Sequence, residues 1–212
     1  NMLPVAMPLL LVALGGMFSE IGGIVNIALE GIMLFGAFFA TLFVYFVQDL
    51  GLSPQTVLLL GMLIAAAAGL IYSLLLSFAA VTMKADQVIT GTSLNMLIPA
   101  VILLVSKMFF MSDGITTNMN FYIKEFPVLG KIPILGKMFF QRTYLTVFIS
   151  LVFLIIAIII FYKTKFGLRL RACGEHPQAA DSVGINVTKM RYLGTSLSGI
   201  FGGIGGFFYC VG

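Results

Sequence analysis

KTKFGLRLRACGEHPQAADSVGINVTKMR, residues Lys163 to Arg191, decides how this chain is read. It is the only long polar segment, and it holds six of the twelve Lys+Arg against only Glu175 and Asp181. Twenty uncharged residues, Thr143 to Tyr162, precede it, and twenty-one more, Tyr192 to Gly212, follow the loop. An α-helix needs about 20 apolar residues to cross the hydrocarbon core of a bilayer, and Lys and Arg collect in loops on the inner side. Residues 163–191 therefore read as a cytoplasmic loop in an all-α, polytopic membrane protein.

A short helix is expected inside the loop. Pro177 suits a first helical position, where its missing N–H is not needed; Glu175 puts negative charge near the positive end of the dipole, and Gly184 can end the turn. That leaves roughly two turns, on the order of 10 Å long. Its side chains are small, Ala179, Ala180 and Ser182, with Val183 one turn after Ala179. Such a helix can seat in a groove on a soluble partner. The plainer alternative is a connecting loop whose cations obey the charge rule and whose helix caps the bundle, and the capping rules fit both.

The core FGLRLRACGEHPQAADSVGINV resembles the cytoplasmic coupling segment of bacterial ABC-transporter permeases of the branched-chain amino acid and simple sugar/nucleoside group. That group's expected core is Gly-Glu-Asn-Pro-x-Ala-Ala followed by Gly-Ile. Here it stands as Gly174, Glu175, His176, Pro177, Gln178, Ala179, Ala180, Gly184 and Ile185. His176 replaces the usual Asn, which touches only the local capping bond. GGIVNIALEGIMLFGAFFA (Gly22 to Ala40) and ADQVITGTSLNML (Ala85 to Leu97) are similar to the same group, in the same order. The Asn-Ile-Ala-Leu-Glu-Gly form resembles nucleoside and simple-sugar permeases more than the amino acid branch.

The resemblance implies an ABC importer permease fold that translocates nucleosides or related simple sugars. Its expected partners are a cytoplasmic ABC ATPase docking at Glu175–Ile185, a second permease subunit and an extracytoplasmic solute-binding lipoprotein. No cofactor is expected in this chain, ATP and Mg being held by the ATPase, and the expected location is the bacterial cytoplasmic (inner) membrane. Members of the group run on for further spans. The chain begins at Asn1 and stops at Gly212 inside an apolar run, so it is expected to be a fragment of one permease domain, 1–212.

Composition bounds the reading independently. With 60% hydrophobic and 9% charged residues and a mean hydropathy of +1.10, the chain is a membrane protein rather than a soluble domain. The net charge of +4 then needs no nucleic acid. Cys173 lies in the basic loop and Cys210 in an apolar run, so no disulfide between them is expected, and one histidine with so few partners builds no metal site.

In chain order, residues 1–19 carry no charge, but Pro4, Pro8 and Gly15-Gly16 leave a run that is short for a full span. Ser19, Glu20, Gly22 and Gly23 then interrupt the apolar sequence until Ile24. A helix broken at membrane depth is tolerated where protein or water covers the freed backbone, which makes this a candidate for a solute path. Asn26 and Glu30, one helical turn apart, are expected to share a face. An acid at mid-membrane costs about 2.5–3.5 kcal/mol on insertion scales and turns toward the bundle interior or a wet cavity. They line a path for a hydroxylated solute or hold helices together by hydrogen bonds; both readings stay open.

That span continues to about Val47, and QDLGLSPQ (Gln48 to Gln55) is a turn with an acid and no cation, suited to the outer side. Thr56 to Val81 is an uncharged span whose AAAAG (65–69) should let neighbouring backbones approach. Lys84 marks an inner turn. Gln87, Thr90 or Gly91, and Asn95 then fall near one helical face, in a cluster with Thr92 and Ser93. These residues form a second wall of the path, or return their hydroxyls to their own helix.

Lys107 to Arg142, with five cations and two acids, reads as an amphipathic or re-entrant segment. Local cation density puts it outside, because Lys163, Lys165, Arg169 and Arg171 crowd the far end of the span that follows. Glycines 199, 202, 203, 205 and 206 in the last run make a close-approach face for another helix. In all, five to six membrane segments are expected. No G-x-x-x-x-G-K-[ST] occurs, so the chain carries no phosphate loop of that type.

Other classes fit less well. A proton-coupled transporter would want several ionisable groups at mid-membrane, and only Glu30 qualifies. An intramembrane enzyme would need a base, yet the sole histidine, His176, belongs to the polar loop, far from Ser196 and Ser198. A branched-chain amino acid permease would need sites for an ammonium and a carboxylate, and neither is visible.

Overall fold

A computed structural model describes residues 3–111, 121–125 and 141–211. Its helices are α1 (Leu3–Ile21), α2 (Leu29–Val47), α3 (Pro54–Ser77), α4 (Gln87–Phe110), α5 (Leu145–Lys163), α6 (Lys165–Glu175), α7 (Pro177–Ser182) and α8 (Val187–Val211). A 3-10 turn (Gln48–Leu50) extends α2, and a π-helical turn (Phe78–Thr82) extends α3. Five of these stretches, Leu29–Leu50, Pro54–Thr82, Gln87–Phe110, Leu145–Lys163 and Val187–Val211, are long and apolar enough to cross a membrane. α1 is a shorter apolar helix, so five to six segments stand as expected.

Among the described residues one small element breaks the all-α pattern. β1 (Tyr122–Glu125) pairs antiparallel with β2 (Gln141–Tyr144), in register Ile123 with Thr143. The ribbon leads directly into α5. The near-repeat VLGKIPILGKM in the expected amphipathic or re-entrant segment lies outside the described residues.

Local chemistry sets the helix ends. The Ser53 hydroxyl accepts from Thr56 N at 3.4 Å, with Pro54 at the first helical position. Asp86 Oδ1 accepts from Val88 N at 2.8 Å and Ile89 N at 3.1 Å, which starts α4. Asn186 Oδ1 accepts from Lys189 N at 2.9 Å, which starts α8. Pro8 is carried inside α1, so the first helix is continuous through its prolines and ends only at Ile21.

α8 is the axis of the bundle. Phe201 to Phe208 are buried without exception, enclosed by α1, α2 and α3. Its glycines face all three neighbours: a Cβ on Gly206 would overlap the Met33 carbonyl of α2, and one on Gly203 the Ala65 carbonyl of α3. A Cβ on Gly205 would lie 2.9 Å from the Pro8 carbonyl of α1. The expected single close-approach face is thus a close approach on three sides. Between helices in lipid, association rests on such backbone proximity rather than on a hydrophobic driving force. The stripped 65–69 stretch of α3 meets it, with Ala65, Ala68 and Gly69 buried.

These contacts also fix direction. Gly61 of α3 lies at Phe207 of α8, Gly69 at Gly199, and the Thr82 hydroxyl bonds the Tyr192 hydroxyl, so α3 runs antiparallel to α8. α1 does the same, from Gly205 at Pro8 to Gly194 at Phe18, while α2 and α4 run parallel to α8. Lys84, the end of α1 and the α6–α7 pair therefore share one end of the bundle, with Asp49 and the ribbon at the other. This matches the expected alternation and places the start of α1 at the ribbon end.

Candidate functional site

The corner between α5 and α6 is built by Thr164. Its hydroxyl donates to Ile160 O at 2.6 Å and accepts from Gly167 N at 3.2 Å, ending one helix and capping the next. A Cβ on Gly167 would come within 2.5 Å of the Ile160 and Phe161 carbonyls, so only glycine lets α6 fold back onto α5. Arg171 ties the corner, reaching Phe161 O at 3.4 Å with its guanidinium 4.7 Å from the Tyr162 ring centre. The stretch read from sequence as loop before Pro177 is therefore helix α6. Its small residues and amphipathic spacing hide Leu170 and Cys173 completely.

α7 begins at Pro177 and spans six residues, somewhat under the expected two turns. Ala180 N donates to His176 O at 3.0 Å, and Ile185 N returns to Ala180 O at 3.0 Å past Gly184, whose φ is +82°. His176 gives no side-chain cap. The residues expected to meet an ATPase divide into two sets. Glu175, His176, Ala179 and Gly184 are exposed, with Pro177 half-buried between them. Ala180 and Ile185 turn toward the core, and Gly174 is packed against Ile21 and Gly23. Burial pushes the Cys173 thiol up from its usual range, offset in part by the Arg191 charge.

Under α6 the chain is unwound. After α1, Gly22 N and Ile24 N both donate to Ser19 O, at 3.1 and 3.0 Å, and Gly23 takes φ +81°, a conformation that glycine adopts freely. Residues 24–26 then have no regular secondary structure, and α2 starts only at Leu29. The expected helix from Ile24 is therefore delayed, and Asn26 and Glu30 do not share a helical face. Asn26 points into the bundle, where Nδ2 donates to Ser198 Oγ at 2.7 Å; Glu30 is exposed. The reason is local: the left-handed turn at Gly23 closes on Ser19 O and ends the helical ladder of α1.

Backbone without a ladder needs partners, and the polar residues of α4 supply them. Gln87 Oε1 accepts from Val25 N at 2.9 Å. Asn95 Nδ2 donates to Ile27 O at 2.7 Å, and its Oδ1 accepts from Gly31 N at 2.7 Å. The structure thus brings Asn26, Gln87 and Asn95 together around the unwound segment. Thr90 instead returns its hydroxyl to Asp86 O at 2.8 Å, and Thr92 and Ser93 do likewise within α4. Glu30 has no hydrogen-bond partner among the described residues. Sequence reading named the break at Gly22-Gly23 but missed Leu170, Ser198 and Arg191, which complete the junction.

The molecule is thus a multi-pass α-helical membrane protein in which a helical hairpin at one end of the bundle is packed on an unwound segment between two spans. The family model described as branched-chain amino acid transport system / permease component matches residues 1–212, and the chain belongs to that family. It is 46% identical over 208 residues to the guanosine ABC transporter permease protein NupQ of Bacillus subtilis, covering 96% of this chain and 64% of that protein. It is 42% identical over 209 residues to the nucleoside ABC transporter permease protein NupC of Lactococcus lactis, covering 99% of this chain and 65% of that protein. The chain thus spans about two thirds of the length of these relatives. No solved structure is matched.

Proposed function

We propose that this chain is the membrane-spanning part of an ATP-driven importer for nucleosides, resident in a bacterial cytoplasmic membrane. Identity above 40% across nearly the whole chain to two nucleoside permeases carries the reading. The partners would be a cytoplasmic ATPase that supplies ATP and Mg, a second permease subunit and an extracytoplasmic binding protein. The exposed side of α7, with Glu175, His176 and Ala179, is the surface offered to the ATPase. The chain would do no covalent chemistry; packed spans with two stable arrangements would alternate access to the path when the ATPase closes.

Of the residues expected to line the path, Glu30 has no side-chain hydrogen bond among the described residues and Asn26 keeps a buried Oδ1 without a partner, so these two are the candidates for cargo contact. Gln87 and Asn95 hold the backbone that shapes the wall, and Asn26 Nδ2 ties it to the Ser198 hydroxyl of α8. The test is Ala179→Arg in the full-length permease with its own partners. Nucleoside uptake should be abolished while membrane insertion is unchanged, and full transport by this variant refutes the docking role. Ala180→Arg is the poorer probe because Ala180 is buried, so the charge would disturb folding.

A further inference from the structure

Three elements converge on the junction between α1 and α2. From α6, Gly174 is so close that a Cβ there would overlap the Ile21 carbonyl oxygen and stand 3.2 Å from Gly23 N. Leu170 of the same helix lies under Gly22, where a Cβ would be 3.1 Å from its Cδ1. From α8, Arg191 lies beside Gly23, with Nη2 3.3 Å and Nε 3.7 Å from where a Cβ would stand. The Arg191 Nε is buried without an acceptor among the described residues. From α4, Gln87 and Asn95 grip the segment's other end at Val25, Ile27 and Gly31.

These contacts differ in stiffness. The α6 contact is backbone against backbone, so no flexible side chain can absorb a shift of α6. A single residue, His176, separates α6 from α7, so the two helices move together. Residues 24–26 lack a helical ladder and are the compliant part, held at discrete points by α4 and α8. Hinges are commonly a few residues at element ends that take up the change in φ and ψ, with packed elements moving around them.

We infer that Ile21 to Gly23, seated on Gly174 and flanked by Arg191, is the joint through which displacement of α7 reaches α4 and α8. The inference rests on the reading of α7 as the ATPase contact. Gly23 and Arg191 are positioning residues in this arrangement: they touch neither ATPase nor cargo, and they set how much of each stroke arrives at the path. Asn26, Gln87 and Asn95 are its output side, since they bond the moving backbone to the two helices beyond it.

The test uses the full-length permease, assembled with its own ATPase and binding protein in proteoliposomes, and reads nucleoside uptake and ATP hydrolysis separately. Gly23→Ala forces a Cβ against Gly174 and Arg191, and Arg191→Lys keeps charge and length but loses the planar fork. Both should assemble and hydrolyse ATP at near wild-type rates while uptake per ATP falls roughly tenfold, the scale of coupling changes in packed networks. Unchanged uptake per ATP in both variants overturns the joint. If Gly23→Ala fails to assemble, Arg191→Lys alone decides by the same ratio. Absence of ATP-dependent uptake in the wild type would instead remove the importer reading itself, a separate outcome.

Discussion

Asn95 accepts the amide proton of Gly31 at 2.7 Å, a hydrogen bond between two spans that closes the gap left where helix α2 begins late. The same side chain donates to Ile27 O, so one residue serves two backbone groups that have no helical partner. Each buried group orphaned by truncation costs about 1–3 kcal/mol. Asn95→Ala should therefore lower the thermal midpoint of the purified protein in detergent well below that of Thr92→Ala, whose hydroxyl only returns to its own helix. Equal midpoints for the two variants would contradict the role given to Asn95.

Gly203 and Gly51 should respond unequally to alanine. At Gly203 the added Cβ runs into the Ala65 carbonyl of the neighbouring helix, and overpacking of this kind costs about 1–3 kcal/mol or more. At Gly51 nothing lies within 4 Å, and only its φ of +70° opposes the change, at roughly 1–2 kcal/mol. Expression of folded protein, read by size-exclusion chromatography, should drop sharply for Gly203→Ala and modestly for Gly51→Ala.

Cys173 is a poor reporter of sidedness although it lies in the basic segment. It is fully buried, and its raised thiol pKa leaves little of the reactive thiolate at neutral pH. A membrane-impermeant maleimide should leave it unlabelled in both intact cells and inverted vesicles. Ser182→Cys, exposed on α7, should label in inverted vesicles only. Labelling of that cysteine in intact cells would reverse the proposed orientation and remove the ATPase contact with it.

His176 stands at the N-cap of α7 without a side-chain hydrogen bond. Asparagine is a strong N-cap because its side-chain oxygen accepts from the second or third helical N–H, a contribution of about 0.5–2 kcal/mol. His176→Asn should slow hydrogen exchange at Gln178 and Ala179. Unaltered exchange there would show that α7 is ordered by its packing on α6 alone.

Much of this architecture was legible in order along the chain. Runs of about 20 apolar residues mark the spans, because lipid offers no partner to an open backbone. Pro177 and Gly184 mark α7 by the hydrogen bonds they lack or permit, and the glycines of the last run announce close approach. Helix α6 was not legible as helix, because its polar, basic composition matches a loop until Gly167 is seen folding it against α5. The shared face expected for Asn26 and Glu30 failed for a similar reason: spacing assumes a helix, and Gly22-Gly23 end one.

The sequence by itself determined that this is a multi-span membrane protein with a basic insert carrying a short helix, since hydrophobic run length, charge placement and the Pro177 and Gly184 signals are properties of the chain alone. Only the tertiary structure decided that α8 is the axis, that Gly174 rests on the α1–α2 junction, and that Gln87 and Asn95 are committed to backbone. Those relationships join residues far apart in sequence, and they depend on distances between backbones that no local pattern encodes.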